Sequence, residues 1–546
     1  MTAPPNTLTG LLRRRISDDH DRPFLRRDGG AALTYGEFGA IASRWARLLG
    51  TYRPTSTGDP FHVGVLADNS PAWLEVLGGC LLAGATLVGL NTTRGAAELA
   101  RDAAHTRCCV VVGDAGHLDR LAAGGAGAPL LAFGPDTDDA LACCDATDPG
   151  TEPTPTDLAF LIFTSGTTSA PKAVRRTHGR ALLSAEKLAD RGEVTADAVG
   201  YVNMPLFHAA ALMMVVLPAI ARGASVYVAP RFSVSGFLDD VRRHGVTWWG
   251  YTGKPLTYLM ASPAQPDDAD NPLRVAVGNE GNSAVCDAFA ARFGCTVVDT
   301  YGATEGGVGV VRRTGDPPGS LGLAPPGVAV LADDGSVCPP ADVAPDGTVR
   351  NAGEAVGEIV NTTGVNAFEG YWDNPEATAA RGGGRTYRSG DLGYADADGY
   401  LYFAGRTDDW LRVDGENLAA GAIERLLERH PDVLVAAVVG VPDAGAGDQV
   451  LAVLQRRPDA HCDPADVLAR TAADPDCGTK WLPRYVRVVD ALPLTPTHKV
   501  ARRDLRHRWF EQPGTLERTS TGLVPLDPDR LRSRFAATGR GHLLDL

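Results

Sequence analysis

Residues 163–173 read Phe-Thr-Ser-Gly-Thr-Thr-Ser-Ala-Pro-Lys-Ala. Thr164, Ser165, Gly166, Thr167, Thr168 and Lys172 crowd hydroxyls, backbone N–H groups and one ammonium into a tight loop. Such a loop can cradle phosphate oxygens, and an ordinary turn can have the same composition. Its spacing is not GxxxxGK[ST], so it differs from the phosphate loop of other nucleotide enzymes. A second cluster, Tyr301-Gly302-Ala-Thr304-Glu305, pairs a ring able to stack on a base with a phosphate-bonding hydroxyl and a carboxylate suited to Mg²⁺. A third, Tyr387-Arg-Ser-Gly-Asp391-Leu-Gly393, offers a carboxylate that could accept two ribose hydroxyls or cap a turn. Gly405-Arg406-Thr-Asp408-Asp409, with Val413-Asp-Gly415-Glu416-Asn417 after it, forms the fourth, and Leu494-Thr-Pro-Thr-His-Lys499-Val500 the fifth.

Lysine usage singles out a few residues. Of 52 basic residues only Lys172, Lys187, Lys254, Lys480 and Lys499 are lysine; the other 47 are arginine. Arginine cannot replace a compact ammonium at every site, so these lysines are candidates for function. Lys254, in Gly253-Lys-Pro255, is placed to read a polar group of a substrate or to sit in a charged turn. His208, in Pro205-Leu-Phe-His with small Ala209 after it, is a candidate functional residue or a packed core histidine.

These residues need elements to hold them. Short β-type runs alternate with helix-type segments: Leu158–Phe163, a helix over Thr177–Asp190, then Ala224–Val228, Val246–Trp249 and Cys295–Val298. That alternation predicts an α/β fold with parallel strands, whose sites lie in loops at the strand ends. Near residue 405 the texture changes. Tyr400–Phe403 is a short strand, Ala419–His430 carries helical spacing, Pro431 ends it, and Val433–Val439 is a valine-rich strand. A chain of 546 residues exceeds one hydrophobic core, so more than one domain is expected. The reading is an N-terminal domain over 1–407, a small α+β domain over 408–510, and a polar tail over 511–546 with a short helix at Pro528–Ala537.

The five clusters, in this order, resemble the adenylate-forming superfamily of acyl- and aryl-CoA ligases, nonribosomal peptide adenylation domains and luciferases. Within it, Gly89-Leu-Asn-Thr-Thr-Arg94, Val277-Gly-Asn-Glu-Gly281, Asp414-Gly-Glu-Asn417 and Arg540-Gly-His-Leu-Leu544 are most similar to bacterial fatty-acid–CoA ligases related to fatty-acid transport proteins. The resemblance implies a large domain of layered α/β sheets with a small β-subdomain, hinged to the α+β domain. It implies that Thr164–Thr168 and Lys172 hold phosphate and that His208 sits beside the substrate carboxylate. Gly278, Asn279, Glu280 and Gly281 would border adenine and the acid pocket, which Ala209 and Lys254 would line. Tyr301 and Gly302 would pack on adenine, Thr304 would meet phosphate and Glu305 would bind Mg²⁺. Asp391 would take the ribose with Arg406 in support, Asp408 would be the hinge, and Lys499 would serve the adenylation step. Gly415 and Glu416 would serve the second step.

The implied reaction uses ATP, Mg²⁺ and CoA to convert an acid to its AMP ester and then to a thioester. Two departures stand out: Ser169 and Ala173 replace usual loop glycines, and His498 precedes Lys499 where glycine is common. Two other readings remain open at this point. One is adenylation with another acceptor, such as nitrite activation for diazotisation of an aryl amine. The other is a nucleotide-binding regulator that has lost catalysis. The net charge of −14 argues against a broad nucleic-acid surface. Ten cysteines without a CxxC spacing argue against a zinc site. The first residues carry no apolar signal run, and the apolar stretch Ala209–Ala221 is too short to span a bilayer, so a cytoplasmic protein acting on a small molecule is expected.

Overall fold

The computed structural model describes residues 4–56, 58–164, 172–252, 255–279, 281, 283–313, 315–343, 349–363, 368–382, 386–406, 410–413, 416–444, 448–474, 477, 481–495, 499–538 and 544. Of residues 283, 405, 406, 410–413, 416–419 and 422 it describes the backbone alone. Ser165, Gly166, Thr167, Thr168, Lys254, Glu280, Asp408 and Gly415 lie outside the described residues. The chain divides into two compact units, Met1–Thr314 with Thr363–Tyr387, and Gly315–Thr362 with Arg388–Leu546.

The first unit is built on two sheets. In the six-stranded one, Leu130–Ala132, Cys108–Gly113, His62–Leu66, Thr86–Gly89 and Leu158–Phe163 run parallel, and Ala173–Thr177 closes the edge antiparallel. In the eight-stranded one, six strands are parallel, among them Val199–Val202, Trp248–Thr252, Val275–Asn279 and Thr296–Gly302, with antiparallel strands at both edges. Parallel sheets must be covered on both faces, and these are. Along Leu158–Phe163, Phe160 and Ile162 join a core with Trp45, Trp73, Val226 and Trp248. Leu161 and Phe163 join another with Leu99, Leu118 and Leu121. Trp249 and Tyr251 pack on the far side of the larger sheet with Phe237, Phe289 and Phe293. The result is five layers, with helices such as Tyr35–Gly50 and Pro71–Ala83 between the two sheets.

The predicted strand Leu158–Phe163 and tail helix Pro528–Ala537 form over those residues, and the helix after Thr177 spans His178–Arg191 with Thr177 as its cap. Val246–Trp249 is corrected to Trp248–Thr252, because Val246 N bonds Val241 O and closes the preceding helix through left-handed Gly245. Cys295–Val298 is longer than expected: the strand Thr296–Gly302 carries Tyr301 and Gly302 within it. Ala209–Ala221 is one apolar stretch in three helical pieces, with Leu212–Val216 in π-helical geometry.

The second unit contains most of a five-stranded sheet in which Tyr387–Ala395 and Tyr400–Arg406 pair antiparallel, the latter running past the expected Phe403. It also contains a five-stranded sheet of Val433–Pro442, Asp448–Arg456, Tyr485–Val489, Leu516–Thr519 and Gly522–Pro525. The last two strands form a hairpin inside a stretch read from sequence as polar tail. Among the described residues no helix is long and apolar enough to cross a membrane.

Candidate functional site

The loop that begins at Thr164 is closed at its neck. Phe163 pairs with Ala173 across the two strands, and Thr164 N donates to Lys172 O at 3.1 Å. This neck, Thr164 and Lys172, lies at the carboxyl end of a parallel strand, where open α/β sheets place ligands.

The segment Glu369–Trp372 lies antiparallel along the strand that follows Lys172. Trp372 N donates to Ala173 O at 2.8 Å and Arg175 N to Gly370 O at 3.1 Å. Thr177 donates from N and Oγ1 to the two carboxylate oxygens of Glu369, at 2.8 and 2.7 Å. Trp372 anchors the other end: its Nε1 donates to His105 O at 3.3 Å, and His105 Nε2 donates back to Trp372 O at 3.0 Å. From this segment Tyr371 Oη donates to Glu305 Oε1 at 2.7 Å. Tyr371 and Glu305 are 4% and 7% exposed. Burial, then the Glu305 charge, raises the Tyr371 pKa, so the phenol stays a donor.

Thr304 and Glu305 occupy a turn closed by Gly306 N on Ala303 O, with Gly306 at φ +68°. Glycine meets that left-handed conformation at little cost. The turn follows directly from the strand that ends in Tyr301 and Gly302. Arg176, buried in the neighbouring sheet, donates through Nη2 to Thr304 O. Burial lowers its pKa, opposed by the charges of Glu369 and Glu305. The structure thus brings Thr304 and Glu305 into one network with the strand that starts after Lys172.

Gly278 and Gly281 sit where no larger residue fits. A Cβ on Gly278 would meet Tyr251 O at 2.4 Å, and one on Gly281 would meet Cys286 Sγ at 2.5 Å. Asp299 Oδ1 accepts from Gly281 N at 3.0 Å and from Tyr251 Oη at 2.6 Å, so this aspartate holds the loop after Asn279. His208 and Ala209 open the helical stretch behind the strand Trp248–Thr252. The peptide before them is held by Asn69, whose Oδ1 accepts from Leu206 N at 2.9 Å and whose Nδ2 donates to Met204 O at 2.9 Å.

In the second unit, Asp391 and Arg406 are partners in register on adjacent antiparallel strands. Asp391 is buried, and its N–H bonds Ser389 Oγ at 3.0 Å. Lys499 lies at the foot of a hairpin in which Thr495 N donates to Lys499 O at 2.7 Å and Leu494 bridges Val500. Glu416 pairs with Val413 in a two-stranded ribbon.

Sequence reasoning passed over Arg176, Glu369, Tyr371, Asn69 and Asp299. Among 47 arginines nothing marks Arg176; the signal available was its place at an inward position of a strand, beside Thr177 and His178.

The AMP-binding enzyme family matches residues 12–372, and its C-terminal domain matches residues 422–499. The chain belongs to the AMP-binding enzyme family. It is similar to a medium/long-chain-fatty-acid–CoA ligase of Mycobacterium marinum, 41% identical over 86% of this chain and 90% of the relative. A steroid-22-oyl-CoA synthetase of Rhodococcus jostii is 43% identical over 82% of this chain and 83% of that one. ATP-bound MatB from Rhodopseudomonas palustris has the same fold, with a TM-score of 0.80 and 26% identity over 92% of this chain and 98% of that one. This family member is an AMP-forming acid–CoA ligase; neither a different acceptor nor loss of catalysis is favoured.

Proposed function

We propose that this ligase activates a medium- to long-chain or polycyclic apolar acid as its acyl adenylate and transfers the acyl group to CoA, with Mg²⁺ on Glu305. One observation carries the choice of acid. The stretch from Ala209 through the π-helical Leu212–Val216 presents small and apolar side chains, and it packs on the strand Trp248–Thr252 directly after His208. π-Helical turns often mark functional sites. The fatty-acid and steroid names of the relatives point the same way.

The chemistry joins two anions, so positioning and charge neutralisation dominate. A carboxylate oxygen attacks the α-phosphorus of ATP, forming an acyl C–O–P link. The bond from that phosphorus to the bridging oxygen breaks, and pyrophosphate leaves with the electron pair. Lys172, Lys499 and the donors of Thr164–Thr168 and Thr304 offset the charge that develops, and His208 orients the carboxylate. Tyr301, Gly302 and Gly278–Gly281 hold adenine, while Asp391 and Arg406 hold the ribose. Glu305 fits a hard cation: it is an oxygen donor, buried, with one oxygen already satisfied by Tyr371. When bound, Mg²⁺ supplies charge neutralisation at the phosphates. The CoA thiol, losing its proton, then attacks the acyl carbon, the C–S bond forms, and AMP departs with the C–O pair. In this reading the small domain turns about Asp408 between the steps, bringing Gly415 and Glu416 into use, and Lys254 reads any polar group on the acid.

The test is release of AMP and pyrophosphate across fatty acids, sterol-derived acids, aryl acids and nitrite with an aryl amine, each with and without CoA. Thioester formation fastest with a fatty or sterol-derived acid is expected. Turnover confined to aryl acids, or to nitrite and amine, overturns the assignment.

A further inference from the structure

Two buried side chains tie together groups that come from different sheets. Lys172 precedes the edge strand of the six-stranded sheet, whereas Thr304 and Glu305 follow a strand of the eight-stranded sheet. Arg176, 6% exposed, leaves the first sheet and donates to the Thr304 carbonyl. Tyr371, hydrogen-bonded alongside that same edge strand, donates to Glu305 Oε1. Arg381 in turn hydrogen-bonds Tyr371. Glu369 spends both carboxylate oxygens on Thr177 and places its negative charge near Arg176. The turn is therefore held at two points: one carbonyl by a guanidinium, one carboxylate oxygen by a phenol.

We propose that Arg176 and Tyr371 are positioning residues for adenylation, fixing the Thr304–Glu305 turn against the strand after Lys172 so that the phosphate-side groups keep one spacing. The proposal rests on the reading above of Thr304 and Glu305 as the phosphate and Mg²⁺ groups. Its physical basis is that a carboxylate with one oxygen fixed presents the other in a single direction. Preorganised groups of this kind lose rate steeply when they are released. Neither side chain need touch substrate to have this effect. Arg176 also sets a compensating charge beside buried Glu305 and half-buried Glu369.

The experiment compares wild type with Tyr371→Phe, Arg176→Lys and Arg176→Met, each in the full chain. Titration calorimetry measures binding of Mg·ATP, and of ATP in EDTA, without acid. Pyrophosphate release then gives kcat and KM for a fatty acid. Tyr371→Phe is expected to fold with an unchanged melting temperature to within a few degrees. It should bind Mg·ATP about 3–10-fold more weakly, bind ATP in EDTA as wild type does, and lose about 10–100-fold in kcat with the KM for acid unchanged. Arg176→Met should lose more and also melt earlier, and Arg176→Lys should recover part of the kcat because it restores the charge. Wild-type Mg·ATP affinity and kcat in Tyr371→Phe overturn the proposal. So does equal weakening of Mg·ATP and Mg-free ATP, which marks a purely structural role. A wild-type enzyme that makes no thioester from any acid would instead sink the functional reading.

Discussion

Tyr371 Oη and Glu305 Oε1 share a 2.7 Å hydrogen bond in the interior, between a segment on the edge of one sheet and a turn at the end of the other. A buried carboxylate needs partners, and the phenol supplies one while leaving a second oxygen for a cation. Glu305→Gln keeps the shape and can still accept from Tyr371, but it removes the charge. Adenylation by this variant should fall about 10²–10³-fold, as for loss of one preorganised stabiliser. Pyrophosphate release measured across a Mg²⁺ titration checks this; a rate near wild type at limiting Mg²⁺ would remove Glu305 from the metal role.

His178 gives a pH prediction. It is 1% exposed, at the start of the helix that Thr177 caps, and burial pushes its pKa down to about 4. The folded chain therefore resists protonation that the unfolded chain accepts near 6.5. Above pH 6.5 both states hold neutral imidazole and nothing is lost. Between 6.5 and 4 only the unfolded state gains the proton, so stability falls as pH falls, by about 3 kcal/mol across the window. His178→Gln stays neutral throughout, and its melting temperature should decline less from pH 7 to pH 4.5. Parallel declines in the two proteins would show that His178 does not titrate in this way.

The end of the chain is a structural part of the second unit. The hairpin Leu516–Thr519 and Gly522–Pro525 extends the sheet beyond Tyr485–Val489, and the helix Pro528–Ala537 buries Leu531 and Phe535. Glu517 is held below the usual carboxylate range by Arg534 and Arg484, which outweigh the opposing effect of burial. Phe535→Ala should cost about 3 kcal/mol, the usual penalty for a large core truncation. Denaturant unfolding followed by a probe in this unit checks it, and a loss under 1 kcal/mol would mean that the helix only rests on the surface.

What the sequence displayed depended on burial. Leu158–Phe163 is apolar throughout because both of its faces are covered, so its limits were plain. The hairpin at 516–525 was not, since Glu517, half-buried against Arg484 and Arg534, and the exposed Arg518 and Thr519 interrupt the apolar pattern. The strand Trp248–Thr252 was misplaced because Gly250 and Thr252 carry no apolar signal, while Val246 does so from inside the helix closure. At the site, the residues proposed to meet ligands were readable as clusters in sequence. Those that hold them, Arg176, Glu369 and Tyr371, were not, because their partners lie between 66 and 192 positions away.

Lys499 tests the two-step reading most directly. The Thr495–Lys499 backbone bond and the Leu494–Val500 bridge fix the base of its hairpin, so truncating the side chain should leave the backbone in place. An ammonium stabilises negative charge building on the α-phosphate while the acid attacks. Thiol attack on the finished anhydride has no such charge to offset at that oxygen. Lys499→Ala should therefore abolish acyl-AMP formation from acid and ATP. Given chemically made acyl-AMP and CoA, the same protein should form thioester at a substantial fraction of the wild-type rate. Asp408→Pro should behave in the opposite way. Proline fixes φ at the proposed hinge, so adenylation persists while thioester formation falls. Both half-reactions must be measured on both variants. If folded Lys499→Ala loses the two steps equally, the lysine is not specific to adenylation and the turning of the small domain between steps is wrong for this enzyme.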